Sequence, residues 1–115
     1  MRLINVLKSK IHRATVTDAN VDYIGSITID ADLIERSGLI EGELVHVWNL
    51  GNGERFETYV LRGEPHSGCI VLNGAAAHRV AVGHKIIIAA FALTDEPIVP
   101  MSILVDDDNR FVRNL

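Results

Sequence analysis

Residues Ser26 to Asp30 read S-I-T-I-D, with Ser26, Thr28 and Asp30 on one side of the alternation and Ile27 and Ile29 on the other. A period of two predicts a half-buried β-strand. The Gly25-Ser26 pair at its head reads in two ways: as a turn, or as a peptide bond that does not survive in the working protein. Upstream, Val6 to Thr17 mixes β-branched and basic residues and predicts a first strand with weak alternation. Downstream, Asp30 or Asp32 can cap a short helix over A-D-L-I-E-R-S, with Gly38 placed to stop it. Glu43 to Leu50 is strand-like, and an Asn52-Gly53 turn returns it into a partner strand, Arg55 to Leu61. A Gly/Pro/Ser-rich loop over residues 62–68 leads to a short strand at Cys69 to Leu72. Residues 73–79, N-G-A-A-A-H-R, read as a turn opening a single helical turn. Lys85 to Leu93 is continuously apolar, which predicts a strand with no wet face. Pro97 and Pro100 bracket a loop before a strand at Met101 to Val105, and D-D-D-N turns the chain into a polar tail. With no repeat and no linker, residues 1–115 form a single domain. Many short strands, short helices and frequent Gly turns make it mainly β, a compact barrel.

Composition sharpens this picture. Hydrophobic residues are 48% of the 115 but aromatic ones only 5%, so the core is expected to be aliphatic. A net charge of −4 and the lack of any basic run argue against a protein built to grip nucleic-acid phosphates. The single cysteine, Cys69, excludes an internal disulfide and suits a reducing, cytoplasmic setting. Inside an apolar strand with no basic neighbour, it reads as a small core residue rather than a nucleophile. The apolar run from Ile86 to Leu93 is too short to span a bilayer, so no membrane partner is expected. No cleavage site of small residues follows the N-terminal apolar patch, so no signal peptide is expected.

The candidate chemistry is spread thinly. His12, His46, His66, His78 and His84 show neither an i, i+4 pair nor a tight His-x-His, and no metal site is expected. Lys10 and His12 share a face of the first strand by their i, i+2 spacing. Arg55, Glu57 and Tyr59 share a face of the hairpin return strand, with Thr58 on the other. Asn73-Gly74-Ala75-Ala76 presents backbone N–H groups at a turn that opens a helix, suited to an anion or an oxyanion. Taken singly, each is more simply a solvated or rim residue.

Taken together, they form a pattern. K-I-H-R at 10–13, Y-x-G-S at 23–26, W-N at 48–49, N-G-E-R-F-x-T-Y at 52–59 and N-G-A-A-A-H at 73–78 stand in one order and spacing. In both, the chain resembles the pyruvoyl-dependent L-aspartate decarboxylases of bacteria, which make β-alanine for pantothenate. The resemblance covers about residues 1–93. The tail after Leu93 matches poorly and inherits nothing from it. Ser9 stands where the family usually has Gly, at a position without chemistry.

The resemblance implies a double-psi β-barrel assembled as a homotetramer. It also answers the question at Gly25-Ser26, where such precursors cut themselves. The Ser26 hydroxyl would attack the Gly25 carbonyl carbon, and elimination, hydration and loss of ammonia would leave a pyruvoyl group derived from Ser26. The products would be a small chain, 1–25, and a larger one, 26–115. Gly25, with no Cβ, is expected to adopt a strained backbone that lets the hydroxyl approach its carbonyl, and Thr58 to donate to the Gly25 carbonyl region. The pyruvoyl ketone would condense with the amino group of L-aspartate and act as electron sink as CO₂ leaves. Arg55 and Lys10 would bind carboxylate, with Thr58 and the backbone of Gly74, Ala75 and Ala76 as further donors. Tyr59 would return a proton to Cα, and His12, Trp48 and Asn73 would shape the site.

Residues 26–47 also resemble the strand–helix–strand unit of swapped-hairpin DNA-binding regulators. Such proteins show Arg and Lys to phosphate, whereas this segment has five acids against one Arg. A barrel that has lost processing and only binds ligand is a third possibility.

Overall fold

The computed structural model describes all 115 residues. Its strands are β1 (Ile4–Thr15), β2 (Asp18–Asn20), β3 (Ser26–Asp30), β4 (Leu44–Asn49), β5 (Arg55–Gly63), β6 (Ile70–Asn73), β7 (Lys85–Thr94), β8 (Met101–Val105) and β9 (Phe111–Asn114). A helix, α1 (Ala31–Ser37), follows β3, and a 3₁₀ helix (Gly74–Arg79) follows β6. The strands hydrogen-bond in the order β2-β6-β3-β5-β4-β7-β1-β8-β9. Only Val16 and Thr17 separate β1 from β2, and Thr17 N–H donates to the Ile70 carbonyl of β6. The backbone therefore carries the sheet from β1 round to β6, closing the mainly β barrel that the alternation predicts. Parallel pairings of β3 with β5 and of β2 with β6 lie among antiparallel ones. Such crossed connections are what the double-psi barrel implied by the resemblance requires.

The core is aliphatic, as the composition predicts. Ile11, Ile27, Ile29, Val45, Val60, Leu72 and Ile88 have no exposed surface, and no aromatic side chain is fully buried. Asp30 caps α1 by accepting from Asp32 N–H, and Gly38 ends it in the left-handed region at φ 74°. Three expectations change. β3 is buried on both faces rather than half-buried, with Ser26 and Asp30 inside. The polar face survives burial because every group finds a partner. Asp30 also accepts from the N–H groups of His66 and Gly68. β7 does have a wet end, since Phe91 and Leu93 are 38% and 62% exposed where nothing in the chain covers the outer face. Cys69 is only half-buried, just ahead of β6. The polar tail also forms a strand, β9, paired with β8.

Two buried polar groups have opposite fates. Ser9, where the family usually has Gly, is fully buried with no partner for its hydroxyl. Asn109 is buried at φ 60° and makes three bonds: Oδ1 accepts from Thr15 N–H, and Nδ2 donates to the carbonyls of Thr15 and Gly68. This residue fastens the β8–β9 turn to the end of β1. Asn109→Ala loses all three bonds and places a Cβ-bearing apolar residue in the left-handed region. Urea unfolding should show a loss of about 2–4 kcal/mol, since buried backbone groups are left unpaired. A loss below about 1 kcal/mol would show that the tail is not held this way.

Candidate active site

Ser26 opens β3 opposite Asn73, the last residue of β6, in an antiparallel pair. The pairing aims the Asn73 amide across the ladder, and Nδ2 donates to Ser26 Oγ at 3.0 Å and to Thr28 Oγ1 at 3.3 Å. The Ser26 hydroxyl donates to the Ile24 carbonyl at 3.3 Å, curling the side chain back over Gly25. Having turned to Ser26, Asn73 makes no side-chain cap bond to the 3₁₀ helix that follows it. The first N–H groups of that helix, at Gly74 and Ala75, have no intrahelical partners, because its i→i+3 ladder begins at the Asn73 carbonyl.

Gly74 governs how close this turn comes. Its φ is 67°, and a Cβ there would lie 2.6 Å from Gly25 Cα, 2.8 Å from Gly25 N and 2.9 Å from the Tyr23 carbonyl oxygen. Gly25 itself is not in the left-handed region, and a Cβ on it would meet only the Asn73 carbonyl oxygen, at 3.9 Å. The expectation that Gly25 takes a strained backbone is therefore corrected. The requirement for glycine falls on Gly74, whose missing Cβ lets the two backbones touch.

Gly25, Thr58, Tyr59, Ala75 and Ala76 line one pocket of about 400 Å³, together with Phe56, Glu57 and Arg79. Thr58 and Tyr59 come from β5, which runs parallel to β3 with Ile27 opposite Val60. Beside this pocket lies a second groove walled by His46, Trp48, Arg55, Phe56 and Glu57. Arg55 faces Trp48 across the β4–β5 ladder, its guanidinium 4.6 Å from the indole centroid, within cation–π range. Phe56 and Glu57 belong to both walls, so Arg55 stands next to the Gly25 pocket and not in it. A larger groove of about 460 Å³, around Asn5, Glu43, Leu44 and Phe91, holds no candidate nucleophile.

Lys10 and His12 are not brought into this pocket by the chain that carries it. They lie on β1, which is separated from β5 by β7 and β4. The two do share a face there, ahead of a bulge at which Arg13 takes φ 68°. His12 Nδ1 is buried without a partner. Burial above all, with the charges of Lys10 and Arg13 adding to it, pushes the His12 pKa below the ordinary imidazole value.

A family model for aspartate decarboxylase matches residues 2–112. The chain belongs to the aspartate decarboxylase family. The match runs past Leu93, where the motif resemblance stops, so the tail is part of the family domain. Among relatives named aspartate 1-decarboxylase, that of Caldicellulosiruptor bescii is 59% identical over 96% of this chain and 89% of its own length. The Caldicellulosiruptor saccharolyticus protein is 56% identical over 96% and 90%, and the Wolinella succinogenes protein 53% identical over 95% and 93%. The swapped-hairpin regulator reading finds no support: the family match spans residues 26–47 as well.

The site of this family member also contains residues that the sequence reading passed over. Thr28, which shares the Asn73 amide with Ser26, was signalled by its place two residues on along the same strand face. Arg79 closes the N-G-A-A-A-H-R run, but nothing local marks it as a pocket residue.

His12 gives the structure a pH dependence of definite sign. Above the ordinary imidazole pKa both folded and unfolded chains carry a neutral His12, and it contributes nothing. Below it, the unfolded chain takes up a proton that the native site resists, so stability falls with the pH. Between about pH 7.5 and 5.5, wild-type protein should lose more thermal stability than His12→Gln, which differs from it only at this side chain. Equal losses in the two proteins would mean that His12 is as easily charged in the fold as outside it.

Proposed function

We propose that this chain decarboxylates L-aspartate to β-alanine and CO₂, the activity of its family, after cutting itself between Gly25 and Ser26. The observation that carries the reading is the seating of Ser26. Its hydroxyl is buried, curls back over Gly25 and has an amide donor beside it. In the cleavage step, Ser26 Oγ attacks the Gly25 carbonyl carbon, and the acyl group moves from nitrogen to oxygen. Thr58 offers its hydroxyl to the carbonyl oxygen as charge develops. Elimination across the Ser26 side chain then breaks the ester, giving chains 1–25 and 26–115. Hydration and loss of ammonia leave a pyruvoyl group at residue 26.

The residues present suit that group. Asn73 Nδ2 is a donor at this position, and Gly74 lacks the Cβ that would fill the space beside Gly25. When formed, the pyruvoyl supplies the ketone that bonds the substrate amine and takes up the electron pair released with CO₂. The chain does the rest. Arg55, its plane steadied on Trp48, presents a fork to a substrate carboxylate, and Lys10 adds a second positive charge. Backbone N–H groups at Gly74 and Ala75 supply further donors, beside Ala76 on the pocket wall, with His12 shaping the site. Tyr59, on the pocket wall, delivers the proton to the substrate Cα once CO₂ has left.

The working form in this reading is a homotetramer in the cytoplasm, feeding β-alanine to pantothenate and so to coenzyme A synthesis. Two features support assembly. Lys10 stands strands away from the Gly25 pocket, and Leu44, Phe91 and Leu93 leave an apolar outer face uncovered. In this reading a second copy covers that face, and Lys10 serves a neighbour's pocket.

Intact mass measurement tests the cleavage. Wild-type protein should give two chains divided at residue 26, and Ser26→Ala one uncut and inactive chain. Gly74→Ala should cleave about 10²-fold more slowly, because the new Cβ forces apart backbone atoms that must stay in attack geometry. Uncut wild-type protein that still makes β-alanine would overturn the mechanism.

Tyr59→Phe separates cleavage from turnover, since the ring stays and only the hydroxyl is lost. Cleavage should be normal while β-alanine formation falls roughly 10²–10⁴-fold, the usual worth of a positioned acid. Wild-type turnover in this variant would assign the proton to another donor.

A further inference from the structure

The pocket that holds Gly25, Thr58 and Tyr59 has one cationic side chain on its wall, Arg79. Its backbone is anchored without help from its side chain. The Arg79 carbonyl accepts from Asn49 Nδ2 at 3.0 Å and from Asn52 Nδ2 at 3.1 Å, tying the end of the 3₁₀ helix to the β4–β5 loop. The side chain makes a separate contact, Nη1 to Glu54 Oε2 at 2.6 Å. That bond uses one of the five N–H donors of a guanidinium, and 52% of the Arg79 side chain stays exposed. The arginine is thus held at the pocket with most of its donors free.

We propose that Arg79 is a substrate-binding residue that holds the side-chain carboxylate of the amino-acid substrate, and that Glu54 competes with this carboxylate for it. The inference rests on the decarboxylase reading above and extends it to how a dicarboxylic substrate is selected. A cation fixed on the departing carboxylate would stabilise the ground state and oppose its loss as CO₂. The cations of the site, Arg79 together with Arg55 and Lys10, are therefore better used on the carboxylate that remains. Glu54 lends Arg79 a counter-charge while the pocket is empty, and it sits at the surface, where exchanging one carboxylate for another is cheap.

Competition makes two substitutions act in opposite directions. Arg79→Gln removes the receptor and should raise KM for L-aspartate about tenfold, with kcat within about twofold of wild type. Glu54→Gln removes the competitor and should lower KM by about two- to fivefold, the size of a surface ion pair. Arg79→Lys should fall between wild type and Arg79→Gln, and the double variant should match Arg79→Gln alone. If the pair only braced the fold, both single variants would shift KM the same way. Each protein is first weighed by mass spectrometry to confirm division at residue 26. If Arg79→Gln fails to process, Arg79→Lys and Glu54→Gln carry the comparison. An unchanged KM in the arginine variants, or a raised KM in Glu54→Gln, overturns the inference while leaving the decarboxylase intact. Wild-type protein inert toward aspartate refutes the underlying reading, and this inference with it.

Discussion

The backbone of Gly74 lies against that of Gly25, and one methyl group would part them. The contact exists because β6 ends at Asn73 and the chain switches at once, through a φ of 67°, into a 3₁₀ helix. A residue with a Cβ would be strained in that region and would also collide with Gly25 and Tyr23. The switch has two results at once. It leaves the Asn73 side chain on the ladder, facing Ser26 and Thr28, and it brings Ala75 and Ala76 to the pocket wall. The hydrophobic core serves this arrangement as a clamp on register. Ile27 and Ile29 on β3 pair with Leu72 and Ile70 on β6, all four fully buried, and a slip of one residue would turn them outward. With the register held, Ser26 can face only Asn73.

The buried polar face of β3 is tied very unevenly along its length. Its far end, Asp30, accepts from three backbone N–H groups, at Asp32, His66 and Gly68, which binds α1 and the loop before β6 to it. A carboxylate satisfied in this way is a fixed point. Its near end, Ser26, receives one amide donor and turns its own proton to a carbonyl two residues back. Thr28, between them, shares the same amide. Hydrogen bonding is thus graded along five residues, densest at Asp30 and sparsest at Ser26, beside the proposed cleavage point.

What could be read without a structure was whatever lies within a few residues. The alternation of S-I-T-I-D, the Asp30 cap and the Gly38 stop are local matters, and they appear where the pattern put them. β2 and β9 escaped because three or four residues hold too little alternation to be distinguished from turns; β2 exists by pairing with the distant β6, and β9 by folding back on β8. The two glycines of the site were equal as letters. Only the fold shows that the crowding falls on Gly74, because strain depends on what faces a residue and not on its neighbours in the chain. The buried face of β3 was misjudged for a related reason: polar side chains usually mark water, but here they mark partners from β6 and the loop before it. Lys10 and His12 were legible as motif residues, yet they sit on a different part of the barrel from Tyr59, since spacing along a sequence does not determine which strands become neighbours. The tail looked unconnected, yet it pairs as β9 with β8 and is tied to the end of β1 by the buried Asn109 amide.

An acidic chain that takes an acidic substrate presents a problem of scale. The net charge of −4 repels an anionic amino acid at long range, but at physiological salt charges further apart than about 8 Å scarcely sense each other. What a substrate meets on arrival is the local wall. There, Arg55 lies over Trp48 in one groove and Arg79 over the Gly25 pocket in the next, with Glu57 common to both walls and Glu54 bonded to Arg79. Each arginine has a companion that keeps it in place while the site is empty, an aromatic face in one case and a carboxylate in the other. The companions are not equivalent. An indole does not compete for a guanidinium's N–H donors, whereas a carboxylate competes for the same donors as a substrate does. If both arginines receive carboxylate as proposed, net charge can drift without consequence for the site, while the companion beside each arginine sets how readily a carboxylate is received.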